Sequence, residues 1–489
     1  MEAVLARIER INPVINAYCT MMATEAMDEA RRAEAMVMAG RPLGDLHGIP
    51  VSIKDLALTK GVRTMSGSFI FEHRVPDVDA PFVRRLKDAG AIMVGKTTSP
   101  EFGWKALGQS PVTGHTRNPW NTAMTPGGSS SGAAAATAAG LGPLANGSDG
   151  AGSIRIPAAF CGVYGLKPSY GRVPMWPVSN DDYGSHSGPI TRTVADAALM
   201  LAVMAGPDEW DRTSLEAKPA DYVGELDRGI KGLRVAYSRD LGGLQVDAEV
   251  TARVDEAARV FEELGCTVEA VNPGFADTSR LIRRLWAAHM AGNRAQYMKE
   301  WRDRMDPGLV ACIDDGMGLT AVDYVEARAE KLALWDTVRP LFERYDLLLT
   351  PTISVAAFPV ERLNPEHYPQ HRWDWFPWAS FSYPFNFTQQ PAATVPAGLT
   401  PSGLPVGLQI VGRRFADLTV LQASAAFEAA RPWQASGRSS RVGATTGPPR
   451  PQTLGSAPAK PWRSSIAPRR SKRPGRAVAL LDHAILHAH

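Results

Sequence analysis

Ser129, in PGGSSSG, and Ser153, in NGSDGAGSIRIP, stand twenty-four positions apart among glycines and alanines, and Lys54 lies upstream of both in HGIPVSIKDL. Small residues around a hydroxyl let backbone N–H groups approach a reacting carbonyl, and a lysine in an apolar setting can serve as base. The three residues together predict attack by a serine nucleophile on a carbonyl carbon.

Taken singly, each serine loop reads as well as a turn or a flexible connection. Neither matches the G-x-x-x-x-G-K-[ST] or G-x-G-x-x-G pattern of a phosphate-binding loop. Ser129 precedes an alanine-rich helix, whose N-terminus offers free N–H donors. Ser153 follows a strand expected to end near Asn146. The glycine-rich turn between them would present the N–H groups of Gly150, Ala151, Gly152 and Ser153 to an oxyanion.

The elements that must position these residues alternate between helices and short strands, which predicts an α/β fold. Strands are expected over Pro50–Ile53, Ala91–Val94 and Leu141–Asn146, and helices over Ser130–Ala139, Ser279–Trp301 and Ala321–Tyr345. Between Glu361 and Phe387, aromatics alternate with prolines, which reads as a structured loop or pocket lid. No apolar run is long enough to span a membrane and no basic leader precedes an apolar core, so a cytoplasmic protein is expected.

Cys19, Cys161, Cys266 and Cys312 are scattered, which argues against a disulfide framework and against a zinc site. His367 and His371 flank Pro369 and so do not share a helical face. No metal and no cofactor are expected. The net charge of +3 conceals an asymmetry: from Gly437 onward ten Lys/Arg face one acidic residue, Asp482, leaving the main body mildly acidic. That tail is rich in Ser, Arg, Pro and Gly and reads as disordered, so the globular part is expected over residues 1–435, with 436–489 as a basic extension.

The segments HGIPVSIKD, TRNPWNTAMTPGGSSSG and GSDGAGSIRIPAAFCGVYGLKPS occur in an order and at spacings that resemble the amidase signature family of amide hydrolases. The resemblance runs from about Glu2 to Arg431 and includes GLPVGLQIVGRR. It implies one large domain with a central mixed, twisted β-sheet covered by helices on both faces. It also implies that Lys54 is the catalytic lysine, that Ser129 is a bridging serine preceded by a cis peptide, and that Ser153 is the nucleophile. Ser130, Asp149 and Arg155 match polar residues that brace the serines. Ser131 and Ala151 depart from the family's usual glycines. Because the resemblance starts at Glu2, a helix often found before that point is expected to be missing.

Members of the family differ in substrate. Trp373, Trp375, Phe376, Trp378 and Phe381 fall in the proline-broken segment and are expected to contact an apolar acyl or aryl group. The expected activity is hydrolysis of hydrophobic or aryl amides, with esters or carbamates as possible side substrates. The alternatives are the glutaminase component of the tRNA-dependent amidotransferase and a catalytically silent binding relative. The expected partner is a small-molecule amide, with no nucleic acid and no membrane, in a monomer or homodimer. Deleting the residues after Ala435 is expected to leave turnover per folded molecule nearly unchanged; a large loss of folded protein would move the boundary.

Overall fold

The computed structural model describes residues 1–178, 184–217, 219–275 and 278–433. The tail from residue 436 and the boundary near Ala435 lie outside the described residues. The strands, in chain order, are β1 (Tyr18–Met21), β2 (Pro50–Lys54), β3 (Ile92–Thr97), β4 (Gln109–Ser110), β5 (Gly114–His115), β6 (Leu144–Asp149), β7 (Tyr164–Lys167), β8 (His186–Thr191), β9 (Arg234–Tyr237), β10 (Thr267–Ala270), β11 (Leu347–Pro351), β12 (Ala392–Leu399) and β13 (Pro405–Gly412). Eleven of them form one sheet in the order β1-β3-β2-β6-β8-β7-β12-β13-β11-β9-β10, and β4 pairs with β5. The sheet is mixed. β2 runs parallel to β3 and β6, whereas β6 with β8 and β12 with β13 are antiparallel.

Side chains that alternate along each strand divide between two buried faces. Val51 and Ile53 of β2, Leu347 and Leu349 of β11, and Val406, Leu408 and Ile410 of β13 enter one core. That core is shared with the helices Pro81–Asp88, Val194–Met204, Ala248–Glu263 and Asp417–Ala430. The intervening residues point the other way. Leu348 and Val411 pack with Leu334 and Val338 of the Ala321–Arg344 helix, while Gln409 meets Arg155 and Lys54 meets Ser129. The sheet is therefore covered by helices on both sides, and the chemistry-bearing residues share the second face.

Some elements differ from the sequence expectations for local reasons. The strand expected from Leu141 starts at Leu144, after Gly142 and Pro143, and runs on to Asp149. The helix expected over Ser279–Trp301 ends at Arg294 and gives way to short turns. β7 and β8 escape a propensity reading because Gly165, Gly188 and Pro189 weaken their strand character. Those glycines are required by packing: a methyl group at Gly188 would strike the Leu166 carbonyl, and one at Gly165 would lie 2.7 Å from the Ala158 methyl. The segment read as a lid holds two short helices, Phe376–Ala379 and Pro384–Phe387, and its aromatics are buried in the interior except Phe387, which is half-buried.

The helix Ser131–Ala138, which follows Ser129, has all but one of its residues buried. Its Gly132 N–H donates to the Thr98 carbonyl at 3.1 Å. A side chain at Gly132 would collide with the Ala17 carbonyl oxygen and the Thr98 amide nitrogen, both backbone atoms with little room to yield. Gly132→Ala is therefore expected to push this helix off the sheet and to destabilise the fold by about 1–3 kcal/mol, read as a lowered thermal midpoint. An unchanged midpoint would mean that the backbone there adjusts freely.

Candidate active site

Lys54 ends β2, and its backbone N–H donates to Asn146 Oδ1 of β6 at 2.8 Å. Its side chain is buried, and Nζ lies 2.8 Å from Ser129 Oγ, 3.0 Å from Ser130 Oγ and 2.9 Å from Ser148 Oγ. Burial pulls its pKa down to about 7, against an upward pull from the negative charge of Asp149. The neutral amine has two N–H donors and one lone pair. The Ser130 hydroxyl gives its hydrogen to the Ser148 carbonyl at 3.2 Å, so towards Lys54 it acts as acceptor. A neutral Lys54 therefore accepts from Ser129 or Ser148.

The Gly128–Ser129 peptide is cis, in keeping with the resemblance. Ser130 N–H donates to the Ser153 carbonyl at 3.2 Å, which ties the two serine loops together. Ser129 and Ser153 are 3% and 4% exposed, so a reacting molecule reaches them only at the bottom of an enclosed site. Gly103, at φ 72°, lies over Ser129; a Cβ there would stand 3.2 Å from Ser129 Oγ and 2.9 Å from Leu56 Cδ1.

Asp149 and Arg155, both with fully buried side chains, organise the turn that carries Ser153. Oδ1 of Asp149 accepts from Gly152 N–H at 2.7 Å, and Oδ2 accepts from the N–H groups of Ile154 at 3.1 Å and Arg155 at 3.4 Å. Arg155 donates through Nε and Nη2 to the same carboxylate at 3.0 and 2.9 Å. Its remaining donors reach the Ser382 carbonyl, Gln409 Oε1 and Asn386 Oδ1. Burial alone would raise the Asp149 pKa, but the Arg155 charge and hydrogen bonds hold it well below the ordinary carboxylate value.

The expected oxyanion donors divide in two. The Gly152 N–H is committed to Asp149, which corrects the expectation that it faces a substrate. The N–H groups of Gly150, Ala151 and Ser153 are not engaged by that carboxylate. Ala151 is buried, with its carbonyl held by the Ser382 hydroxyl at 2.7 Å, so its extra methyl is absorbed by the core. Ser148, Asn386, Gln409 and Ser382 were absent from the sequence expectations. The last three come from more than 200 residues away in the chain and have no local signal near the serine loops.

A cavity of about 250 Å³ opens against Gly150 and Gly184. Its other walls include Ile282, Leu285, Trp286, Tyr324 and Phe387. None of the expected contacts Trp373, Trp375, Phe376, Trp378 and Phe381 lines it. Each is at most 2% exposed, and the indole N–H groups are satisfied by the protein: Trp373 by Asp315, Trp375 by the Trp104 carbonyl and Trp378 by Asn364. Phe381 packs with Leu334 and Val338. Trp375 and Phe376 instead brace Trp286 edge to face, at centroid distances of 5.9 and 5.6 Å. Among the described residues, no group of three or more His, Cys, Asp or Glu side chains is arranged to hold a metal, and no helix is long and apolar enough to cross a membrane.

The family model for amidases matches residues 1–421. The chain belongs to the amidase signature family. It is an amide hydrolase, 41% identical to an acylamidase of Rhodococcus erythropolis over 88% of this chain and 91% of that protein. It is also 36% identical to a glutamyl-tRNA(Gln) amidotransferase component from Geobacter metallireducens, over 88% of this chain and 93% of that one. Among solved structures, a bacterial aryl acylamidase of the same family superposes with a TM-score of 0.84 at 33% identity, covering 91% of this chain and 94% of that one. A 6-aminohexanoate cyclic dimer hydrolase gives 0.81 at 28% identity, covering 89% and 93%.

Only a neutral Lys54 has the lone pair to act as base, so the fraction in the active form rises as pH passes its pKa. The kcat/KM for an anilide is expected to climb along a limb with an apparent pKa near 7 and to level off above it. Lys54→Arg, which stays charged throughout, is expected to abolish activity across the range. A flat profile from about pH 5 to about pH 9 would exclude Lys54 as the titrating base.

Proposed function

We propose that the chain hydrolyses linear amides with apolar acyl or aryl groups through an acyl-enzyme on Ser153. The observation that carries this reading is the 2.8 Å contact between Ser129 Oγ and a buried Lys54 Nζ whose pKa is about 7. Lys54 takes the Ser129 proton as Ser129 takes the Ser153 proton, and Ser153 Oγ adds to the amide carbonyl carbon. The carbonyl oxygen becomes an oxyanion held by the N–H groups of Gly150, Ala151 and Ser153. When the C–N bond breaks, Ser129 protonates the departing nitrogen and is itself reprotonated by Lys54. Water then enters, loses a proton to the same relay and releases the carboxylic acid, restoring Ser153.

The largely apolar cavity, whose polar lining side chains are Trp286, His289 and Tyr324, supports hydrophobic acyl groups over glutamine, whose ammonium and carboxylate call for charged partners. The likeness to an acylamidase supports the same choice. Purified wild type is expected to label with a fluorophosphonate and to hydrolyse p-nitroanilides of apolar acids faster than glutamine, with Ser153→Ala losing both properties. Equal labelling of Ser153→Ala would overturn the nucleophile. A preference for glutamine, or activity only with added partner chains, would favour the amidotransferase reading; no labelling at all would favour a silent relative.

A further inference from the structure

The geometry points to a division of the site in which the cavity beside Gly150 receives the acyl half of the substrate and Trp286 sets the size of acyl group it accepts; this rests on the amide-hydrolysis relay proposed above. The direction of substrate binding follows from proton transfer. The leaving nitrogen must approach Ser129, which gives it a proton, and Ser129 lies against Gly103, which also abuts Leu56. Neither of these, nor Ser129 or Lys54, forms part of the cavity wall. The cavity instead adjoins Gly150, whose turn supplies the oxyanion donors. A carbonyl held there, with its nitrogen toward Ser129, directs its remaining substituent into the cavity.

The Glu101–Trp104 segment separates the two halves. Its Gly103 faces Ser129, while the Trp104 carbonyl accepts the Trp286 indole N–H at 2.9 Å and the Trp375 N–H at 3.1 Å. Trp286 is thereby fixed from three sides: by that hydrogen bond and by edge-to-face contacts with Trp375 and Phe376 at interplanar angles of 85° and 80°. A ring held in this way does not rotate out of the path of a longer acyl chain. It acts as a rigid limit beside the aliphatic side chains of Ile282 and Leu285 in the same wall. Trp286 is a specificity-determining residue that takes no part in the proton relay.

The test varies one half of the substrate at a time. p-Nitroanilides of acetic, butanoic, octanoic and benzoic acids vary the acyl half, and butanoyl amides of different anilines vary the amine half. Trp286→Ala is expected to raise the ratio of octanoyl to acetyl kcat/KM by about tenfold or more, while ratios across the amine series stay within about twofold. Trp286→Phe keeps a ring without the N–H and is expected to fall between the two. If Trp286→Ala folds poorly, Leu285→Ala enlarges the same wall and should shift the acyl ratio in the same direction. An unchanged acyl ratio, or a shift confined to the amine series, would overturn the assignment. Calorimetric binding of the product acids to Ser153→Ala reads the wall without turnover: octanoate is expected to gain affinity over butanoate when Trp286→Ala is added. Failure of fluorophosphonate labelling in wild type would refute the relay while leaving this binding result to judge Trp286.

Discussion

The site depends on one fully buried ion pair. Asp149 closes β6 and gathers three N–H groups of the following turn, and Arg155 opens the next helix and returns two donors to the same carboxylate. The remaining Arg155 donors fasten Ser382, Asn386 and Gln409, so residues from two distant parts of the chain are locked to the Ser153 turn. Leaving one partner of such a pair alone in a dry interior costs about 3–5 kcal/mol. The turn around Ser153 is held in one shape by that penalty, which is how flexible glycines come to offer a fixed set of donors.

The sequence made the fold class and the three central residues legible for different physical reasons. Alternating helical and strand periodicity reported the layered architecture, because each element must bury one face. Lys54, Ser129 and Ser153 were legible only together, because the order and spacing of their segments resemble the amidase signature family; the small residues beside Ser129 have a packing reason, since Gly132 and Gly128 abut backbone of Ala17 and Leu107 respectively. Ser148 was hidden by a boundary. With β6 expected to end at Asn146, Ser148 fell in a turn, whereas the strand continues far enough to bring its hydroxyl to Lys54. Asn386 and Gln409 were hidden by distance, since nothing in their neighbourhood indicates that an arginine more than 200 residues earlier will bond to them.

The aromatic segment shows where composition misleads. Its density and prolines suggested a wall open to substrate, but satisfied indole N–H groups mark rings already committed to the framework. The wall comes from the Ser279–Arg294 helix, whose pattern reads as an ordinary amphipathic surface helix. The expected aromatics still matter to the cavity, one layer further out. Trp375 and Phe376 fix the ring that does face it, so the segment shapes the pocket chiefly from behind and lines it only through Phe387.

The ion pair and the buried lysine are linked electrically as well as mechanically. Burial favours the neutral amine at Lys54, and the charge on Asp149 works against it. An unscreened carboxylate in the same dry interior would hold the proton on Lys54 and disable it as a base near neutral pH. Arg155, bound to both oxygens of that carboxylate, offsets the negative charge that Lys54 experiences. In the proposed relay the guanidinium would act without touching a substrate: it shapes the turn that carries Ser153, and it pairs with the carboxylate whose charge raises the Lys54 pKa.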